Sequence, residues 1–346
     1  MSSTISNGLD RAFDTKNAVE LTIGIDRLKL VVFSDHHRGA GDGADDFNVI
    51  RAGHSAKQAY NAALGYYLAK GYGLIVLGDV EELWECWPGE PVRRHHDTLK
   101  LEAQFNDQGC YWRCVGNHDD AWKYPGNVTK HLAAMFKPEF CAREGVHLFL
   151  VENGKRVGRM FMTHGHQGSL ASDRWAALSK IIVRYVNRPL QRLFRYSWNT
   201  PAKDLELRAK HDKLMYDWAV AHNTVANRDD KLVLIAGHTH HPVFGSLGLV
   251  AQLDSQIMQC GDQTALPDLR ARREWAAAAS GFDAGAAART SPCYFNTGCC
   301  CFADGDITGI ELSDGMIRLV RWPDDNDFPR PKVLAETALR TVFSTI

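Results

Sequence analysis

The sequence predicts an α/β fold, and three observations predict it. Short apolar runs of strand type alternate with segments whose apolar residues fall at helical spacing. Each run ends in a polar cluster flanked by glycine. One long stretch late in the chain has helical patterning and few strand signals.

Taken in order, residues 1–26 read as a polar N-terminal arm with a short leading strand. Residues 28–34 (LKLVVFS) form a buried-strand run ending in Asp35-His36-His37. Residues 49–70 carry Ala59, Ala62, Ala63, Tyr66 and Tyr67 at helical spacing. Residues 74–77 are the next strand, ending in Gly78-Asp79. Residues 111–115 are the third, ending in Gly116-Asn117-His118-Asp119. Residues 157–163 are the fourth, ending in His164-Gly165-His166, and 231–236 the fifth, ending in Gly237-His238-Thr239-His240. Ligand sites of such sheets gather at the carboxyl ends of strands. Between the fourth and fifth strands, residues 172–230 read as a helical insertion. Residues 264–290 are rich in Ala and Arg and then loosen, and 295–322 look like late strands with turns at Asp304-Gly305 and Asp314-Gly315. The expected organisation is an arm over 1–26, a domain over 27–322 with its 172–230 insertion, and a C-terminal tail over 323–346 ending in a short helix.

Composition excludes some classes. With 45% hydrophobic and 23% charged residues, the 346-residue chain is of globular type and long enough to bury a large core. A net charge of −1 gives no global attraction to nucleic acid. Nine cysteines include the run Cys299-Cys300-Cys301, and no C-x-x-C pair repeats at zinc spacing. They read as reduced, mostly buried thiols, with the triple run packing in a strand. Residues 1–16 lack an apolar signal core, and no run approaches the ~18 residues of a membrane span, so the expectation is a cytoplasmic protein.

Asp35 and His37 lie two apart, which in extended chain puts both side chains on one face. With Asp79, Asn117, His164, His238 and His240 they make seven oxygen and nitrogen donors. That is too many for one tetrahedral ion and suits two divalent ions bridged by a carboxylate. The donor types favour Mn, Fe or Zn.

In this order, Asp-x-His at 35–37, Gly-Asp-x-x-Glu at 78–82, Gly-Asn-His-Asp at 116–119, His-Gly at 164–165 and Gly-His-x-His at 237–240 resemble the calcineurin-like metallophosphoesterase superfamily. The resemblance implies a four-layer αββα sandwich of two mixed sheets flanked by helices. It implies that Asp35, His37 and His240 bind one ion, that Asn117, His164 and His238 bind the other, and that Asp79 bridges. It also implies hydrolysis of a phosphoester or phosphoanhydride by water held between the ions. His118 would stabilise the phosphate or protonate the leaving oxygen, Asp119 would orient His118, and Glu82 would support the ligands from behind. A narrower resemblance joins Gly78 to Trp84 (GDVEELW) and Gly237 to Pro242 (GHTHHP) to the branch that cleaves UDP-2,3-diacylglucosamine at its pyrophosphate. That branch usually has Arg where this chain has His118.

Residues beside the motifs are read as follows. Arg38 and His166 are candidate contacts to a substrate phosphate. His36 should point away from Asp35 and His37 as a structural residue, and His95 and His96 read as exposed. In the insertion, Lys180, Arg184 and Arg188 line one helix face beside Leu178, Ile181, Ile182 and Tyr185, and Arg192 and Arg195 continue the basic character. The plain reading is a helix with a solvated charged face. The alternative is a lid, or a peripheral membrane contact through 175–195, for an anionic amphiphile. The expected partner is a phosphorylated small-molecule or lipid-like substrate. The reading from another class is a metal-binding scaffold without catalysis.

Overall fold

The computed structural model describes residues 2–42, 45–50, 53–167, 205–225, 230–280, 289–322 and 329–346. Thirteen strands among them form two mixed sheets. The first sheet uses β1 (Ala18–Gly24), β5 (Gly145–Glu152), β6 (Lys155–Thr163), β7 (Leu232–Ala236), β8 (Val243–Phe244), β9 (Leu247–Gly248) and β10 (Tyr294–Asn296), in the order β1-β5-β6-β7-β10-β8-β9. The second uses β2 (Lys29–Phe33), β3 (Gly73–Val76), β4 (Tyr111–Arg113), β11 (Ile307–Ser313), β12 (Met316–Trp322) and β13 (Lys332–Ala338), in the order β13-β12-β11-β2-β3-β4.

Side-chain alternation decides how the sheets stack. In β2, Leu30 and Val32 enter one apolar cluster while Val31 and Phe33 enter another. In β7, Val233 and Ile235 join the first of these, and Leu232 and Leu234 join a third. The shared cluster therefore lies between the sheets, where Val146, Leu148, Met160 and Met162 meet Ile75, Ile310, Leu312 and Leu319. Outside the second sheet, α2 (Ala56–Ala69) and α4 (His96–Asp107) cover Val31, Phe33, Leu74 and Val76 with Tyr60, Ala63, Tyr67 and Leu99. Outside the first sheet, α1 (Ser2–Phe13) and α6 (Leu205–Val225) cover Phe161, Leu232 and Leu234 with Leu9, Ala12, Met215 and Trp218. Four layers result, as the sequence predicts.

The ends of the chain depart from expectation. Residues 1–26 are part of the body: β1 pairs in parallel with β5 over seven residue pairs, and Trp218 Nε1 of α6 donates to Asp10 Oδ1 at 2.8 Å. The helix looks polar because its inward face is narrow: Ile5, Leu9 and Ala12 are buried, and Phe13 packs against Phe161 and Trp218. The described part of the tail, 329–346, also belongs to the body, since β13 is the edge strand beside β12, and the expected short helix (Leu339–Thr345) buries Leu339, Val342 and Phe343. Of the 172–230 stretch, α6 is helical and forms part of an outer layer, and the basic residues of 175–195 lie outside the described residues. The helix read over 49–70 begins later because Ser55 caps it. Its side chain accepts from Gln58 N at 3.3 Å, while Ser55 N donates to Gln58 Oε1 at 2.9 Å. No described helix is long and apolar enough to cross a membrane.

Leu9 is fully buried. Leu9→Ala is expected to cost about 2–5 kcal/mol in a urea titration. A loss below about 0.5 kcal/mol, typical of a surface position, would show that the first residues hang free.

Candidate metal centre

Three strands of each sheet deliver the polar loops. β2, β3 and β4 run parallel in one sheet, and β6, β7 and β10 run parallel in the other. All six carboxyl ends feed a single seam. Asp35 and His37 follow β2, Asp79 follows β3, and Asn117 and His118 follow β4. His164 follows β6, and His238 and His240 follow β7. Two glycines let the loops meet. A Cβ on Gly116 would stand 2.0 Å from Asp79 Oδ1, and one on Gly237 would stand 2.5 Å from Asp35 Oδ2.

The backbone after β2 is not extended, contrary to the sequence reading. Asp35 and His37 have φ of 56° and 48°, and Asp79, His238 and His240 have 50°, 69° and 54°. These five account for most of the eight non-glycine residues with positive φ among those described. Left-handed backbone turns each ligand side chain into the seam and sends His36 the other way. The His36 ring lies 4.4 Å from that of Tyr60, in the outer core.

Six of the seven predicted donors come together in two groups, and the seventh, Asn117, has its Oδ1 buried on the loop after β4. Asp35, His37 and His240 can each place a ligand atom within 4.8 Å of the others, and so can Asp79, His164 and His238. His240 Nε2 lies 3.3 Å from Asp35 Oδ1 and 3.1 Å from His37 Nε2. His164 Nε2 lies 3.1 Å from Asp79 Oδ2. Asn117 Oδ1 and His164 Nδ1 are buried with no hydrogen-bond partner, and Asp35 Oδ1 and His164 Nε2 face members of their own triads. Native proteins seldom leave such atoms unpaired, and all of these atoms are of ligand type. The residues present therefore fit metal binding through oxygen and nitrogen donors.

Protonation follows from the surroundings. Burial would raise the Asp79 carboxyl, but His164 and His118 hold it well below the usual carboxylate range. Burial, with the rings of His211 and His164, holds His238 well below the ordinary imidazole value, so its nitrogens stay neutral. Burial would lower His118, but Glu82 and Asp79 raise it to about 9.

Glu82 is the support behind the site. It accepts from His37 Nδ1 at 2.9 Å and from His118 Nδ1 at 2.7 Å, which leaves Nε2 of each ring for the seam. The indole of Trp84 stacks on His118 at 4.5 Å, and its Nε1 donates to Asn117 O. Asp119 does not orient His118. Its buried carboxylate accepts from Gly116 N at 2.7 Å, Val80 N at 3.1 Å and Arg113 Nη2 at 3.1 Å, so it braces the loops after β3 and β4. Arg38 is no substrate contact either. It is fully buried, pairs with Glu102, lies 3.7 Å from Glu81 and sits against Phe47 and Tyr60. His166 is buried with its ring 5.2 Å from that of His164, at the inner wall of the seam. Of the two histidines read as exposed, His96 is, but His95 is buried with Nε2 2.8 Å from Asp45 Oδ2. The Cys299-Cys300-Cys301 run lies in the loop after β10 and not in a strand, and only Cys300 packs in the core. Cys299 and Cys301 turn toward His240, with Cys301 Sγ 3.9 Å from Nδ1.

Sequence reasoning missed three residues of α6. Asp212 accepts from Tyr294 OH at 2.7 Å, His241 Nδ1 at 3.0 Å and Thr239 Oγ1 at 3.1 Å, which fixes the loop bearing His238 and His240. His211 donates through Nε2 to Gly165 O at 2.6 Å, with its ring 5.0 Å from that of His238. Arg208 lies within electrostatic reach of Asp212 and Asp35, and its Nε is buried without a hydrogen-bond partner. Their spacing of three and four residues puts all three on one helix face, which was the available signal.

No protein-family model matches this chain, and no curated protein matches it. Among solved structures it is similar to Vacuolar Protein Sorting 29 from Cryptosporidium parvum, at 10% identity and a TM-score of 0.33, covering 90% of this chain and 98% of that one. That likeness is too distant to bear on fold or function.

The two carboxylates are expected to separate experimentally. Glu82→Gln should keep the fold and weaken metal retention about 10–100-fold against a competing chelator. Asp119→Ala should cost about 3–5 kcal/mol in urea, because it leaves the amides of Val80 and Gly116 without their acceptor and takes from buried Arg113 one of its two carboxylates. The reverse pattern would restore Asp119 as the partner of His118.

Proposed function

We propose that this chain is a dinuclear-metal-dependent hydrolase of phosphoesters or phosphoanhydrides. The observation that supports it best is the pair of adjacent nitrogen and oxygen triads, with His118 between Glu82 and Trp84 at their rim. The motif resemblance points the same way. Asp35, His37 and His240 would hold one ion, Asn117, His164 and His238 the other, and Asp79 both. Mn, Fe or Zn in these places supplies an activated water near neutral pH and neutralises phosphate oxygens.

The chain's own groups do the rest. The His118 side chain is 22% exposed, so a substrate can reach it. With Nδ1 held by Glu82, His118 has only Nε2 left to give a proton to the leaving oxygen. In place of Arg38, Arg208 of α6, whose Nε is buried without a hydrogen-bond partner, would be a cation to pair with phosphate oxygens. His166, held neutral by burial and by His164, lines the wall. A second reading narrows the substrate to a nucleotide-linked, lipid-bearing pyrophosphate of the UDP-diacylglucosamine type. The motifs GDVEELW over 78–84 and GHTHHP over 237–242 favour it.

The test is turnover on p-nitrophenyl phosphate, bis-p-nitrophenyl phosphate, a cyclic nucleotide and an acylated UDP-sugar pyrophosphate, after metal stripping and Mn²⁺ or Zn²⁺ repletion. The expected result is metal-restored turnover that His118→Ala lowers about 10²–10⁴-fold with bound metal unchanged. The preferred member identifies the ester class. Two bound ions with no turnover on any member would favour the scaffold reading instead.

A further inference from the structure

Beyond the carboxylate and imidazole donors, a second kind of ligand faces the same seam. Cys299 is 2% exposed and Cys301 is partly exposed, both in the loop after β10. Cys300 between them points into the outer core of the second sheet, and its N donates to Ser34 O and Asp35 O at 3.1 Å each. That anchoring turns the two flanking thiols to one side, toward His240. Cys299 Sγ, Cys301 Sγ and a ring nitrogen of His240 lie within 4.8 Å of one another. Cys301 Sγ is 3.9 Å from Nδ1, while Nε2 faces Asp35 and His37. A metal-bound imidazole usually gives its second N–H to a carboxylate or a carbonyl. Here that nitrogen faces two sulfurs.

We propose that Cys299, Cys301 and Nδ1 of His240 form a third cation site, for a thiophilic ion, joined to the first triad by the shared imidazole. Two thiolates and one imidazole suit Zn²⁺, Cd²⁺ or Cu⁺ and do not suit Mn²⁺ or Mg²⁺. Three protein ligands leave a coordination position open, unlike a closed structural site. Binding is a proton exchange with no change of oxidation state. Each thiol releases its proton as its bond to the ion forms, and His240 releases the Nδ1 proton when both ring nitrogens are engaged. Filling this site would therefore change the hold of His240 on its other ion. The inference rests on the proposed centre only through His240.

The test uses the full, metal-free chain and Cd²⁺ alone as probe, with ultraviolet thiolate-to-cadmium charge-transfer absorption and bound cadmium per chain as readouts. The expected result is a charge-transfer band saturating with one Cd²⁺ per chain that Cys299→Ser/Cys301→Ser lacks. Cys301→Ser alone, at the more exposed position, should weaken that ion at least about tenfold, the effect of losing one supporting ligand, and covers the case in which the double variant fails to fold. An absent band, or the same band and stoichiometry in the folded variants, would overturn the site and leave the thiols as acceptors of the ring N–H. Mn²⁺ binding to the double variant separates the two proposals. If it persists, the hard-donor centre stands whatever the thiols do.

Discussion

Six strand ends, three from each sheet, must bring their first polar residues to one seam, and the rest of the molecule depends on that constraint. Stacked sheets alone would leave the loops diverging. Five ligand residues therefore adopt left-handed backbone, at a cost on the order of 1–3 kcal/mol each for residues other than glycine. Such conformations persist only where surroundings over-determine them. Hydrogen bonds from Asp35 N to Gly78 O, His37 N to Asp79 O and His238 N to Asp35 Oδ2 do so here, tying the loops together across β2, β3 and β7.

Behind the seam lies a buried ionic network that carries no ligand. Arg38 and Arg113 share Glu81, Arg113 reaches Asp119, and Arg38 reaches Glu102, which also accepts from Tyr60 and Tyr111. Trp122 Nε1 closes it on Glu81. Every charge in this group has an opposite partner, so removing Arg38 strands Glu102 and removing Arg113 strands Asp119 in a dry interior. The arginine beside the Asp-x-His motif and the aspartate beside His118 are thus framework residues. Their proximity to ligands in sequence hides this, because burial is not visible in a short motif.

Much of the centre was legible in the sequence. The seven donors, Glu82 and His118 sit in short glycine-flanked motifs at strand ends, where local chemistry and spacing carry the signal. The layer order was legible mainly through the motif resemblance. What escaped was whatever depends on distant contact. β5 and α1 depend on such contacts: β5 pairs with β1 and β6, and α1 buries a narrow face of Ile5, Leu9, Ala12 and Phe13 in an otherwise polar segment. Arg208, His211 and Asp212 lie within a stretch read as an insertion, so their common helix face gained meaning only once α6 was placed on β7. Cys299 and Cys301 look like packing residues until the loop after β10 brings them to His240.

The central claim is that the two triads, joined at Asp79, hold two hard-donor cations. The most direct measurement is the number of Mn²⁺ ions bound per chain after stripping and repletion, for the native protein and for Asp79→Ala with its fold verified. The expected result is two ions in the native protein and fewer than one in the variant, because the proposed bridge between the two ions is lost. A native protein that binds no Mn²⁺, or a variant that still binds two, would contradict it.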